Sequence, residues 1–172
     1  NPVTVISPGG DVLSYSYDAS GNLLFADRPG AHDDSYTYDV GGRLLTATNP
    51  VASLTPTYDG AGRPLTESLN GKTTTYTYDP PNNTTTITYP GGRSISHHTD
   101  DRGNLTDVRE GGGSLSSYTY DTADRLTGAT FANGATFTQV YDPAQRVASL
   151  DHATGATLIV GFDHLYSPTG QL

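Results

Sequence analysis

The chain has 172 residues, of which 20 are Gly, 11 are Pro and 12 are Tyr, and it contains no Cys, Met or Trp. The lack of Cys excludes a disulfide framework, a thiolate metal site and a Cys nucleophile. With 9 Lys and Arg against 18 Asp and Glu, the net charge is -9, which disfavours nucleic acid and other anionic partners.

The apolar content favours strands and turns over a large aliphatic core. Hydrophobic residues make up 34% of the chain, less than is usual for a globular domain. No run of about 18 apolar residues predicts a membrane span, and no signal peptide is evident at the start. Because the chain starts at Asn1 and contains no Met, we expect it to be a piece of a longer polypeptide that carries any export signal elsewhere.

An aromatic residue followed by Asp recurs at intervals of 20 or 21 residues along the whole chain. A fixed period of this length is the signature of a repeat array. We therefore predict that residues 1–172 form a single array of about eight repeats and a fragment of something larger. The copies in chain order are Tyr17-Asp18, Tyr38-Asp39, Tyr58-Asp59, Tyr78-Asp79, the degenerate Thr99-Asp100, Tyr120-Asp121, Tyr141-Asp142 and Phe162-Asp163. In the last repeat, the segment from Tyr166 to Gly170 fits the motif better than Phe162-Asp163 does.

Each repeat reads as two strands joined by a tight turn. In the strand before the turn, tyrosines alternate with other residues, as at Tyr15 and Tyr17, so both rings point to one face. Asp opens the turn by bonding the backbone two residues on, and the fourth turn residue needs a positive φ. These fourth residues are Gly21, Gly42, Gly62, Asn82, Gly103, Asp124 and Gln145.

The tyrosine, the turn aspartate and the turn glycine are the residues that define the repeat, and we assign them a structural role. They are Tyr17, Asp18, Gly21, Tyr38, Asp39, Gly42, Tyr58, Asp59, Gly62, Tyr78, Asp79, Asp100, Gly103, Tyr120, Asp121, Tyr141 and Asp142.

The strand after the turn carries apolar residues three positions apart, such as Leu23 and Ala26. This spacing does not follow strict strand alternation, so it indicates either a bulge or a strand that contributes to both faces. A second turn, marked by Gly, Pro and Asn, then leads to the next repeat, as at Asn70-Gly71 and Asn133-Gly134.

The segments Tyr17-Asp18-Ala-Ser-Gly21-Asn22-Leu23 and Tyr38-Asp39-Val-Gly-Gly42-Arg43-Leu44 resemble the YD repeats of Rhs proteins, insecticidal Tc toxin components and teneurins. The resemblance covers essentially the whole chain. It implies a strip of antiparallel hairpins that spirals into a hollow shell, which in Rhs and Tc proteins encloses a toxin. The autoprotease signature of those shells, Asp-Pro-x-Gly-Leu, has no match, because Asp142-Pro143 is not followed by Gly-Leu.

The predicted fold is therefore all-β, with repeated antiparallel hairpins in a long curled or spiralling sheet. An open twisted sheet rarely exceeds about 10 strands without curling or packing on something. A Tyr and Leu face also needs a cover, which curling, a second copy or further sequence would supply. The expected partners are thus further YD repeats of a longer chain or other copies of this one.

Three clusters of His or Asp are possible metal or acid/base sites, and the repeat offers a structural explanation for them. His97-His98-Thr99-Asp100-Asp101 contains imidazoles and carboxylates, but adjacent strand residues point to opposite faces. Calcium would be sought first at Asp33-Asp34 and Asp100-Asp101, although one Asp per turn is explained by turn bonding. We expect no catalytic, cofactor-binding or metal residues.

Two sets of side chains recur beside the turns. The arginines Arg43, Arg63, Arg125 and Arg146 are expected to pair with a neighbouring turn Asp. The tyrosines are expected to stack on one another in successive hairpins, or, if exposed, to provide a platform for sugar rings or a peptide.

The sequence thus predicts a non-enzymatic, secreted or cell-surface segment of an Rhs/Tc-type shell that encloses or presents a toxin or other polypeptide. Two alternatives remain at this point. One is an extracellular adhesion or carbohydrate-binding surface on the tyrosine-lined sheet, and the other is a self-associating extracellular fibre.

Overall fold

A computed structural model describes residues 2–28, 30 and 32–166. Within them, the strands form one antiparallel sheet whose strand order follows the chain order. The predicted all-β fold of repeated antiparallel hairpins is therefore confirmed. The strands are β1 Pro2–Ile6, β2 Val12–Tyr17, β3 Leu23–Asp27, β4 Asp34–Tyr38, β5 Leu44–Asn49, β6 Ala52–Tyr58, β7 Pro64–Leu69, β8 Lys72–Asp79, β9 Thr84–Thr88, β10 Ser94–Thr99, β11 Leu105–Glu110, β12 Gly113–Tyr120, β13 Leu126–Phe131, β14 Ala135–Tyr141, β15 Val147–Thr154 and β16 Thr157–Asp163. A short 3-10 helix, Pro80–Asn82, lies between β8 and β9.

The chain divides into two compact units. The first contains the described residues up to Thr77 together with Thr88–Gly92, and the second contains Tyr78–Ile87 and the described residues from Arg93 onward.

A β-bulge in each repeat explains the spacing of three between apolar residues. In the first unit Tyr17 pairs with Leu23, but the next pair is Ser16 with Phe25, so Leu24 is the extra residue. Tyr15 then lies opposite Ala26. Because the inserted residue resets the alternation, the rings and both apolar residues share one face. The sequence left two explanations open, and the structure selects the bulge.

The second unit repeats this arrangement. Tyr120 pairs with Leu126, the next pair is Thr119 with Gly128, and Tyr118 lies opposite Ala129. Ala26 and Ala129 are two of the few buried apolar residues, with 0% and 7% of their surface exposed. A small side chain opposite a tyrosine lets the ring lie over the partner strand, so burial is concentrated there.

The two faces of the sheet in the first unit differ sharply in chemistry. Tyrosines and apolar residues predominate on one face, and on the other the paired residues from β4 to Thr77 of β8 are Ser or Thr. Cross-strand hydroxyl pairs connect this second face, including Thr37 with Thr46 and Thr57 with Thr66, each at 2.7 Å. The hydroxyl face consists of Ser35, Thr37, Thr46, Thr48, Ser53, Thr55, Thr57, Thr66, Ser68, Thr73, Thr75 and Thr77.

Neither unit builds a deep core of its own. Among the described residues, no large side chain is fully buried, and the buried apolar side chains are Ala26, Pro56, Ile95 and Ala129. Hydrophobic side chains on the first and last strands are exposed, as at Val3 and Phe162. Hydrogen bonds and contacts between neighbouring strands therefore carry most of the stability, as in other repeat arrays.

Candidate functional site

The aspartate turns form a row of nearly identical loops, one in each repeat. In the first, Asp18 Oδ1 accepts hydrogen bonds from the backbone N–H of Ser20 and Asn22, at 2.9 and 2.8 Å. The backbone closes the loop, because Asn22 O accepts from Asp18 N at 2.9 Å and Asp18 O accepts from Gly21 N at 3.3 Å. One carboxylate thus satisfies two backbone donors that the tight turn would otherwise leave unpaired.

The fourth residue of the turn lies in the left-handed region wherever this loop forms. Gly42, for example, has a φ of 77°, a conformation that glycine adopts without steric cost. Asp124 and Gln145 adopt it as well, although they carry a Cβ. The φ values are 88° at Gly21, 77° at Gly42, 84° at Gly62, 88° at Gly103, 61° at Asp124 and 66° at Gln145.

The turn after Tyr78 differs from the prediction. Asp79 belongs to strand β8, the 3-10 helix Pro80–Asn82 follows, and the residue with a positive φ is Asn83, at 48°, instead of Asn82. Asn83 N donates to Pro80 O at 3.1 Å, so Pro80 takes the place that Asp holds in the other turns. The two consecutive prolines fix φ near -65°, which shifts the turn by one residue.

Each turn arginine pairs with a nearby turn aspartate, as expected, and the partner is the aspartate that opens its own turn. Arg43 N donates to Asp39 Oδ1 at 2.9 Å, and its Nε donates to Asp39 Oδ2 at 2.7 Å. The backbone and the side chain of one arginine therefore use both carboxylate oxygens. The same pairing joins Arg63 to Asp59, Arg125 to Asp121 and Arg146 to Asp142.

These hydrogen bonds lower the pKa of the turn aspartates. For Asp121 the largest cause is the side-chain hydrogen bond from Arg125, followed by the backbone hydrogen bond from Arg125. For Asp18 the side-chain hydrogen bond from Asn22 comes first. Donors that point at the charged carboxylate favour it over the protonated form. Lowered pKa values are found at Asp18, Asp39, Asp59, Asp100, Asp121 and Asp142.

A contact between consecutive repeats, which we call the clasp, joins the arginine of one turn to a tyrosine of the next. The guanidinium carbon of Arg125 lies 4.2 Å from the centre of the Tyr141 ring, and Tyr141 Oη donates to Leu126 O at 3.1 Å. Such a cation–π contact is attractive because the ring face carries negative potential. The corresponding pairs are Arg43 with Tyr58 at 5.2 Å and Arg146 with Tyr166 at 4.1 Å.

The clasp replaces the ring-on-ring stacking that was expected for these tyrosines. The guanidinium of the preceding repeat lies over the rings of Tyr58, Tyr141 and Tyr166. The hydroxyl groups of Tyr120 and Tyr166 also bind carbonyls of the preceding repeat, Leu105 O and Val147 O, both at 2.9 Å. Each of these four tyrosines is thus tied to the preceding repeat by its ring, its hydroxyl or both.

Two turns carry Asn where the others carry Arg. Asn104 Nδ2 donates to Asp100 Oδ2 of its own turn at 3.0 Å and to Asp124 Oδ1 of the next at 2.8 Å. Arg102 also reaches Asp124, at 2.9 Å. In the first repeat, Asn22 Nδ2 donates to Asp18 Oδ2 at 2.9 Å.

The clusters that could have been metal or catalytic sites are held by protein donors. His98 Nδ1 lies 2.9 Å from Thr84 Oγ1, and Asp101 Oδ1 accepts from Asn83 Nδ2 at 2.9 Å. Asp34 pairs with Arg28 at 3.0 Å. In the described ranges, no group of three or more His, Cys, Asp or Glu side chains is arranged to hold a metal ion.

Sequence reasoning missed the clasp and the hydroxyl face. Two sequence signals could have revealed the clasp: the Arg that follows a turn and the Tyr that precedes the next turn. The residue that follows a turn lies beside the next hairpin, so these two side chains can meet. The segment after Tyr166, with its predicted turn glycine Gly170, lies outside the described residues. Over the described chain, no helix has the length and hydropathy needed to span a membrane.

The sequence matches two family models. The model described as Teneurin YD-shell matches residues 7–110, more than half of the chain. The model described as RHS Repeat matches residues 100–136. No curated protein matches the chain.

Several solved structures share its fold. They include the TcdB2-TccC3 complex, with 21% identity and a TM-score of 0.71 over 91% of this chain. The same complex without its hypervariable C-terminal region gives 20% identity and a TM-score of 0.72 over 94%. The Tc holotoxin pore of Photorhabdus luminescens gives 20% identity and a TM-score of 0.68 over 88%. The chain spans 10% of the length of each of these structures' matched chains.

Proposed function

Because this chain belongs to the teneurin YD-shell family, we propose that it is a non-catalytic wall segment of a larger β-sheet shell. That shell encloses or presents another polypeptide. The segment contributes about eight hairpins to the wall, joined to further YD repeats of a longer chain or to other copies of itself.

The observation that carries this proposal is the absence of a deep core combined with two chemically distinct faces. A sheet with one tyrosine-lined face and one hydroxyl face suits a wall between two compartments. In the described residues no large side chain is fully buried, so the strip gains most by continuing into further strands or by covering its apolar face. Its match to 10% of much longer Tc chains supports the same reading.

A non-catalytic role agrees with the chemistry of the turns. The turn carboxylates accept backbone and Arg or Asn donors, as Asp39 does at 2.8 and 2.9 Å from Gly41 N and Arg43 N. Their lowered pKa values keep them charged at neutral pH, which suits a structural acceptor and not a proton donor. The recurring residues therefore explain turn closure without any reaction.

The proposal includes export, as the resemblance to Rhs, Tc toxin and teneurin shells implies. The enclosed or presented polypeptide would be a toxin or effector, as the Rhs and Tc resemblance implies. Nucleic acid is not an expected partner, because the net charge is -9.

Limited proteolysis of the intact parent protein tests the wall role. In the unmodified protein, the enclosed polypeptide should resist cleavage and electron microscopy should show a hollow shell. Replacing Arg125 and Tyr141 together with Ala removes one clasp and should speed cleavage of the enclosed part. The matched control is Thr55→Ala on the hydroxyl face, which should leave protection unchanged. A solid particle, or equal cleavage of all three proteins, would overturn the proposal.

The adhesion or carbohydrate-binding alternative receives less support. A sugar platform needs aromatic faces that are open to the ligand. The rings of Tyr58, Tyr141 and Tyr166 are instead covered by guanidinium groups of the preceding repeat. We therefore place the glycan-binding role behind the shell role.

A further inference from the structure

The turn that begins at Asp18 carries Asn22 at the position where the turn that begins at Asp39 carries Arg43. The arginine that reaches from the second turn to the third therefore has no counterpart between the first turn and the second. In the second repeat, Arg43 binds Asp39 and extends to the third turn. In the first repeat, the same position is Asn22. The second repeat therefore shows which groups a guanidinium contacts at this position.

The Arg43 side chain contacts three groups, and it also lies over Gly62 of the next turn. Its Nε lies 2.7 Å from Asp39 Oδ2, and its guanidinium carbon lies 5.2 Å from the centre of the Tyr58 ring. Its Nη1 lies 3.4 Å from Asp59 O, and 3.5 Å from the point where a Cβ on Gly62 would lie. A carboxylate, an aromatic ring and a carbonyl of two consecutive turns therefore surround this cation.

The first repeat presents the equivalent groups. Asp18 corresponds to Asp39, Tyr38 to Tyr58, the carbonyl of Asp39 to that of Asp59, and Gly42 to Gly62. The side chain of Asn22 lies 3.7 Å from the point where a Cβ on Gly42 would lie. It reaches toward the next turn, but it carries an amide in place of a guanidinium.

A cavity of about 500 Å³ lies between these two turns. Asp18, Ser20 and Asn22 of the first turn and Asp39, Val40 and Gly42 of the second line it. Val40 is fully exposed beside it, so the cavity can be entered from solvent. Its lining is mainly polar, which suits a charged or hydrogen-bonding occupant.

Electrostatics at the first two repeats also favour a cation. The pKa of Tyr38 is raised, first by burial of its hydroxyl and then by the charges of Tyr36 and Asp18. The residue at the arginine position of this turn is Asn22, whose uncharged amide donates to Asp18. The negative charge of the Asp18 carboxylate is therefore not balanced by a cation from its own turn.

The fifth repeat shows how a turn with Asn can be completed from within the chain. There the next turn supplies Asp124, which binds both Asn104 and Arg102. The second turn has Gly42 at the position of Asp124, and the first has Ser20 at the position of Arg102. The cavity between the first two turns therefore has neither a carboxylate like that of Asp124 nor a guanidinium like that of Arg102.

From this comparison we infer that the cavity between the Asp18 and Asp39 turns binds a guanidinium group, supplied by an arginine side chain of another polypeptide. The group takes the place that Arg43 takes between the next two turns. It lies against Tyr38, pairs with Asp18 and donates to the Asp39 carbonyl. This site adds a contact point at the turn edge of the sheet, where the tyrosine face ends.

Binding of N-acetyl-arginine amide, followed by saturation-transfer NMR on the probe, tests the site in the chain or in the longer protein that carries it. One exposed ion pair and one cation–π contact are individually weak, so we expect a dissociation constant in the millimolar range. N-acetyl-lysine amide should bind more weakly, because a compact ammonium group lacks the planar face that stacks on a ring. Equal affinity for the two probes would overturn the assignment to a guanidinium.

Two opposite substitutions sharpen the test. Asn22→Arg should fill the cavity from within and weaken probe binding at least tenfold. Arg43→Asn should open a second cavity of the same kind and raise the amount of probe bound about twofold at saturation. Thermal unfolding of each variant establishes that it is folded. Unchanged probe binding by a folded Asn22→Arg variant, or no binding by the unmodified chain, would overturn the inference.

Discussion

The guanidinium carbon of Arg146 lies 4.1 Å from the centre of the Tyr166 ring, and Tyr166 Oη donates to Val147 O at 2.9 Å. Tyr141 has the same two partners in the preceding repeat, Arg125 and Leu126 O. Tyr166 is therefore the repeat tyrosine of the last hairpin. Phe162 instead lies within strand β16, opposite Leu150, with 55% of its surface exposed.

This geometry predicts an energetic coupling between Arg125 and Tyr141. A double-mutant cycle with Arg125→Ala and Tyr141→Leu should give a coupling free energy of about 0.5–1 kcal/mol, since Arg125 is partly exposed. Chemical denaturation of the four proteins measures it. The exposed pair Arg93 and Glu110, at 2.6 Å, serves as the reference ion pair. A coupling of zero between Arg125 and Tyr141 would contradict the clasp.

Removing only the hydroxyl of Tyr141 should have a separate effect. Tyr141→Phe leaves Leu126 O without this donor, and we expect a loss of about 1 kcal/mol in the free energy of unfolding. The matched control is Tyr89→Phe, at a tyrosine with 41% of its surface exposed, which should change stability by less than about 0.5 kcal/mol. Equal effects of the two substitutions would show that the hydroxyl contact contributes nothing.

The left-handed turn residues predict opposite outcomes at two positions. Gly42→Val should destabilise the chain by about 1–3 kcal/mol, because a branched residue is strained at a φ of 77°. Gly60→Ala is the control, since Gly60 lies in an aspartate turn with open space around it and without a positive φ. Unchanged melting of the Gly42→Val variant would refute the turn assignment.

At the other position, Gln145, replacement by glycine should stabilise the fold. Gln145 has a φ of 66°, so Gln145→Gly should relieve strain and raise the melting temperature. The gain should be modest, about 0.5–1 kcal/mol, because glycine also gains freedom in the unfolded chain. Gln139→Gly, in strand β14, should instead lower the melting temperature. A decrease at Gln145 equal to that at Gln139 would contradict the prediction.

The lowered pKa values of the turn aspartates predict acid sensitivity. A carboxyl group whose pKa is lower in the folded state stabilises the fold fully above its unfolded pKa, about 3.9 for Asp. That contribution is lost as the pH falls through the lower folded value. The free energy of unfolding should therefore drop below about pH 4. Asp121→Asn should make this dependence shallower, and a pH-independent free energy between pH 6 and pH 3 would contradict the prediction.

How much of the fold was predictable depends on how local each feature is. The Asp turns could be predicted, because Asp18 and Gly21 act through bonds within five residues of chain. The irregular strand could be located from the spacing of Leu23 and Ala26. This spacing fits a bulge and a strand that contributes to both faces equally well, so the cross-strand partners were needed to decide between them. The turn at Asp79 was misplaced by one residue because two prolines in succession override the spacing of the repeat.

The candidate site was less predictable, because it depends on partners from different repeats. A turn aspartate was expected as the partner of each arginine, but the sequence did not say which one, and Arg43 binds Asp39 of its own turn. The backbone of a tight turn brings these two residues together, and sequence spacing alone does not reveal this. Placing the guanidinium over the next tyrosine required the register of the following hairpin.

The clasp also bears on how an array of this kind changes its length. A repeat with a turn arginine supplies that arginine to the clasp that follows it, and the tyrosine of the next repeat completes the contact. A tandem duplication or deletion of one whole 20- or 21-residue unit that carries both the arginine and the tyrosine therefore rejoins complementary halves at the new junction. Copy number can drift by recombination between repeats without compensating substitutions, whereas the loss of part of a unit leaves one clasp without its partner.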